Sequence, residues 1–118
     1  MTLFRLIPLH VHGAFEVALA LAVMVAPFLF GFAPAALVVS VVLGALIFGV
    51  ALITHASDER ALPISTHAAF DVAFAIVMAV GAVVFGLTDE RTAAAVLGGA
   101  SVLVVLLTSV TRYSPSRA

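Results

Sequence analysis

A chain of 118 residues that is 64% hydrophobic and 9% charged, with a mean hydropathy of +1.32, has too little polar surface to enclose a soluble core of its size. The formal net charge of -1 and the lack of any basic run exclude a nucleic-acid partner, and the absence of cysteine excludes disulfides, thiolate nucleophiles and cysteine metal sites. What remains is an integral membrane protein in contact with the lipid bilayer. About 20 helical residues cross a bilayer core of about 30 Å, so the apolar segments allow about four spans in a single membrane domain covering 1–118.

Met1 to Leu9 form a short lead containing Arg5, and Pro8 suits a helix start because its missing N–H would be unpaired there anyway. The first span is expected over about His12 to Phe32. Pro27 lies inside it and removes a backbone hydrogen bond, which predicts a kink, and Gly31 is a natural helix stop. The connection through Ala33 and Pro34 is so tight that the next span must return as an antiparallel hairpin. An N-terminal arginine, an apolar run and Ala33-Pro34-Ala35 imitate a secretory signal. That reading is rejected because the apolar run is too long, contains Glu16 and recurs internally from His67.

The second span is expected over about Ala35 to Thr54. His55 and the cluster Asp58-Glu59-Arg60 follow, and Pro63 with Ser65 or Thr66 opens the third span, His67 to Leu87. Thr88, Asp89, Glu90 and Arg91 make a polar turn before the fourth span, Thr92 to Thr111, and the tail from Arg112 is expected to fray. With four spans, Arg5, Arg60, Arg112 and Arg117 fall on one side and Arg91 on the other. The positive-inside rule then places both termini in the cytoplasm and the protein in the cytoplasmic membrane.

Shifting the chain by 55 residues superposes its halves without a gap, repeat 1 running over about 5–55 and repeat 2 over about 60–112. Arg5 meets Arg60, Pro8 meets Pro63, His12 meets His67, Glu16 meets Asp71, Gly31 meets Gly86 and Gly44 meets Gly99. Two alanine- and valine-rich helices paired at random would not bring proline, histidine, acid and glycine into register. Each unit holds two spans, so both copies enter the membrane from the same side. The fold class is therefore all-α, with four transmembrane helices as two tandem, parallel-oriented helical-hairpin repeats.

The unit in which Ala26-Pro27-Phe28 is followed closely by Gly31-Phe32 resembles the SPW-repeat family of small bacterial and archaeal membrane proteins, named for a Ser-Pro-Trp motif in the first of two membrane helices. Ala26 and Phe28 stand in the serine and tryptophan positions, and the second copy reads Gly81-Ala82-Val83. The resemblance implies architecture; the family brings no assigned chemistry with it.

His12 and Glu16 are one helical turn apart, as are His67 and Asp71, so each pair shares a helix face with the acid about 6 Å deeper. His12, Glu16, Ala20 and Pro27 gather on one side of the first span, while Ala14, Ala18 and Ala22 form a small-residue stripe opposite. An ionisable face avoids lipid, so it is expected to point into the bundle. His10 and His55 belong to the same membrane interface. Two imidazoles and two carboxylates would suit a divalent transition metal such as zinc, manganese or iron, with His12, Glu16, His67 and Asp71 as ligands, and would equally suit a proton relay. They would also satisfy one another as a purely structural cluster, since an acid in the first turns of a helix is favoured by the macrodipole. Small-xxx-small spacing at Ser40/Gly44 and Ala95/Gly99 suits close helix packing, inside the bundle or against another protomer.

No histidine and acid stand at a spacing that would activate a serine or threonine, and no phosphate loop or HExxH sequence occurs. The leading reading from sequence is thus a non-enzymatic structural or accessory component of the cytoplasmic membrane, with a membrane-protein partner or a homo-oligomer as its setting. The alternative is a metal-binding or proton/ion-handling protein built on the paired His-acid cluster. The two depend on whether the two pairs converge, which the repeat leaves open because it fixes their depth and not the helix arrangement.

Overall fold

The computed structural model describes residues 7–55 and 64–111. In hydrocarbon every backbone N–H and C=O must find its partner within the chain, and a helix achieves this locally. The described residues accordingly form four helices, α1 (Leu9–Phe30), α2 (Pro34–His55), α3 (Ile64–Leu87) and α4 (Arg91–Val110). Each is long and apolar enough to cross a membrane, with mean hydropathies from 2.1 to 2.9. The expected all-α, four-span membrane fold is what the chain adopts. Arg5, the Asp58-Glu59-Arg60 cluster, Pro63, the tail from Arg112 and the side chain of His55 lie outside the described residues, so the arginine-based orientation stays a reading of sequence.

The helix ends follow local chemistry. Pro8, with φ -74 and ψ 162, precedes α1, which starts at Leu9, three residues before the expected boundary at His12. α3 likewise starts at Ile64, ahead of His67. Both histidines therefore sit on the fourth residue of their helices, one turn inside the bundle end. At the other end Gly31 takes φ 64, a conformation that costs a residue without Cβ little, and Phe32 N–H closes the helix on the Pro27 carbonyl at 3.0 Å. The expected polar turn at Thr88 to Glu90 is present, with Asp89 at φ 65 and an exposed Arg91–Asp89 pair at 3.9 Å.

Around the bundle α1 packs mainly on α2 and α3 mainly on α4, while α1–α4 and α2–α3 make lesser contacts. α1 and α3 are thus diagonal partners whose backbones barely approach. Ala20, Ala36 and Ala93 are fully buried along the interior, joined by Val23, Ile47, Met78 and Leu97. Leucines, valines and phenylalanines such as Leu29 and Leu87 face outward, as they should in lipid, and so do Ala14, Ala18 and Ala22.

Pro27 has no N–H to give the Val23 carbonyl one turn earlier. The hydroxyl of Ser40 on α2, itself fully buried, donates to that carbonyl at 2.6 Å. Ser40→Ala is expected to cost about 1 kcal/mol, near the upper part of the range for interhelical hydrogen bonds in membranes. In a Pro27→Ala background the restored N–H serves Val23, and the same substitution should cost almost nothing. A double-mutant cycle on thermal unfolding measures the difference, and equal costs in the two backgrounds would defeat this assignment.

The two small-residue motifs do different work. A Cβ on Gly44 would meet the Met24 side chain and lie 2.8 Å from the Ala20 carbonyl, so the close approach of α1 and α2 at this point requires glycine. Gly99 has open space beside it and, with Ala95, lines a groove against Ala22, Val23 and Ala26 of α1.

Candidate metal centre

The inward faces of α1 and α3 meet across the diagonal at one end of the bundle. His12, Glu16, His67 and Asp71 are each at most 2% exposed there, and one ligand atom from each lies within 4.8 Å of the others. All four residues singled out from sequence are brought together, and the two pairs converge. His10 is exposed and takes no part.

The contacts form a ring. His12 Nε2 lies 3.0 Å from Glu16 Oε2 and 3.0 Å from Asp71 Oδ2, while His67 Nε2 lies 3.1 Å from the same Glu16 oxygen and 3.3 Å from the same Asp71 oxygen. The imidazole planes stand at 73° with centroids 5.6 Å apart, so the two rings approach edge to face with their Nε2 corners on a common point.

The other ring nitrogens fix how the histidines are turned. His12 Nδ1 is 2.8 Å from Thr111 Oγ1, and His67 Nδ1 is 2.8 Å from Thr54 Oγ1. Each threonine hydroxyl donates its own hydrogen to the carbonyl one turn back in its helix, Thr54 to Val50 and Thr111 to Leu107. With that hydrogen spent, the threonine oxygen can only accept, and Nδ1–H must be the donor. The proton on Nδ1 leaves the Nε2 lone pair of a neutral imidazole facing two carboxylate oxygens.

Thr54 and Thr111 are not among the site residues expected from sequence, because neither hydroxyl stands in a nucleophile arrangement. A signal was present, because both second-in-hairpin spans were expected to end on threonine. The 55-residue shift that pairs His12 with His67 sets Thr54 against Ser109, but α2 and α4 begin 57 residues apart, at Pro34 and Arg91, and Thr54 and Thr111 are separated by the same step. Thr111 is held over His12 by the lead of the chain, where Ile7 N–H donates to the Val110 carbonyl at 3.0 Å.

Two carboxylates and two Nε2 lone pairs at such distances repel unless positive charge stands between them. Two charges balance the acids, supplied either as protons on both Nε2 atoms or as one divalent ion. The four N···O spacings of 3.0–3.3 Å suit ligands around one ion, because neighbouring donors bound at about 2.0–2.1 Å stand about 2.9–3.4 Å apart in octahedral and tetrahedral shells alike. Among the described residues two buried side-chain atoms lack a hydrogen-bond partner, Glu16 Oε1 in the quartet and Thr108 Oγ1 on α4. Thr108 lines, with Asp71, a small crevice between α3 and α4. Comparisons with protein-family models, curated proteins and solved structures each return no match for this chain.

Proposed function

We propose that this chain is a membrane-embedded holder of one divalent first-row transition-metal ion, bound by His12 and His67 through Nε2 and by Glu16 and Asp71 through carboxylate oxygens. The observation that carries the reading is that each Nε2 lies close to both acids, and for His12 at equal distance. His12 Nε2 is 3.0 Å from both acids, whereas an N–H donor gains most from one nearly linear partner. A donor atom aimed between two oxygens is what a central cation requires. Nitrogen and oxygen ligands without sulfur suit manganese, iron, cobalt or zinc.

Conduction of protons across the membrane is the less favoured form of ion handling. One turn beyond the acids the axis is filled by Ala20 and Ala75, and then by Val23, Met78, Ile47 and Leu97, all buried and apolar, while the buried hydroxyls of Ser40 and Ser101 at that depth are each spent on a backbone carbonyl. The quartet therefore has polar company at its own end of the bundle and an apolar plug beneath it, which suits a resident site. The arginine distribution puts that end, with both termini, on the cytoplasmic face of the cytoplasmic membrane. In this account the hairpin unit is duplicated, as the repeat and the SPW-repeat resemblance suggest, and each copy contributes one histidine and one acid.

Titration of manganese(II), cobalt(II) or zinc(II) into purified, detergent-solubilised protein tests the reading. Saturable binding of one ion per chain is expected, and a quartet that merely tied α1 to α3 would take up none. Thr54→Val and Thr111→Val leave the ligands in place but release the Nδ1–H groups that turn them. Each is expected to weaken binding by about 10–100-fold, as loss of a supporting hydrogen bond behind a metal-bound histidine does. Unchanged affinity in both variants would mean that the histidines are positioned by something else.

A further inference from the structure

We propose, resting on the metal reading above, that the ion takes five or more donor atoms because Glu16 binds it through both carboxylate oxygens. Glu16 Oε2 contacts both histidines, at 3.0 and 3.1 Å, yet Oε1 of the same group is buried with no hydrogen-bond partner among the described residues. Glu16 is 2% exposed, so solvent is not at hand to hydrate that oxygen. A carboxylate oxygen buried without a donor carries its full desolvation penalty, and a cation already bound to its twin is the partner within reach. The terminal torsion of a glutamate side chain is soft, so turning Oε1 toward an ion costs little.

The asymmetry of the quartet points the same way. The corresponding acid on α3 is the shorter Asp71, and of the two acids Glu16 alone has an oxygen buried without a hydrogen-bond partner. Two imidazole nitrogens, Asp71 Oδ2 and both Glu16 oxygens make an N2O3 shell. That set belongs to ions accepting five or six nitrogen and oxygen donors, manganese(II), iron(II) and cobalt(II), and differs from the closed four-coordinate shell of structural zinc.

Cobalt(II) is the probe, loaded into the full chain in detergent or lipid nanodiscs. Tetrahedral cobalt absorbs strongly in the visible, and five- or six-coordinate cobalt weakly. The wild type is expected to give the weak spectrum. Glu16→Gln, which keeps one oxygen and replaces the other with an amide nitrogen that does not bind, should shift it to the strong tetrahedral one. Intense tetrahedral bands in the wild type would overturn the inference and leave the metal reading standing, as would a weak spectrum that Glu16→Gln leaves unchanged. If Glu16→Gln fails to fold or to load, X-ray absorption at the cobalt edge of the wild type decides. Five or six light neighbours with a chelating carboxylate carbon support the proposal, and four neighbours without it refute it. Failure of the wild type to take up cobalt at all would defeat the metal reading itself, a result distinct from every outcome above.

Discussion

His67→Ala is expected to destabilise the folded bundle by about 3–5 kcal/mol, because it strands two buried carboxylates with a single imidazole between them. His67 is fully buried and touches both acids, so neither water nor another cation among the described residues replaces it. Replacing the whole quartet with leucine should behave differently. A buried charge cluster exchanged for well-packed apolar side chains is often neutral or stabilising, so the quadruple variant is expected to match the wild type in stability while losing all metal binding. Unfolding of both variants in a detergent titration gives the comparison. If the quadruple variant proves as unstable as His67→Ala, the quartet is a structural necessity, and the case for its being kept for chemistry fails.

The second large effect is the response to metal. An ion that binds the folded chain and not the unfolded one stabilises it by about 2.7 kcal/mol at one hundred times its dissociation constant, and about 4.1 kcal/mol at one thousand times. The quartet joins α1 to α3, a diagonal pair that otherwise scarcely touch, so a bound ion braces the bundle where direct helix packing is slight. A clear rise in melting temperature on loading is expected, reversed by a chelator and absent in the His12→Ala/His67→Ala double variant. A rise of equal size in that variant would place the binding elsewhere.

The membrane fold was legible from the apolar runs, and the inward and outward faces of α1 and α3 from helical periodicity, because lipid rewards a simple division between ionisable and greasy sides. Gly31 was legible as a stop for the same kind of local reason. The span boundaries at His12 and His67 fell three residues late, since a polar histidine suggests a boundary whereas the helices continue back to Leu9, just after Pro8, and to Ile64. Convergence of the two His-acid pairs depended on helix arrangement, which a repeat along one chain does not encode. The threonines that turn the histidines come from the ends of α2 and α4, and a gap-free shift misaligns them by two residues. Ser40 stands out in the sequence only as a small residue, although Pro27 implies a carbonyl, that of Val23, in need of a donor.

The most direct measurement is the metal content of the protein as purified, by elemental analysis, beside the His12→Ala/His67→Ala double variant. A resident site predicts about one divalent transition-metal ion per wild-type chain and none in the double variant. No stoichiometric metal in the wild type, or metal that the double substitution leaves untouched, would contradict it.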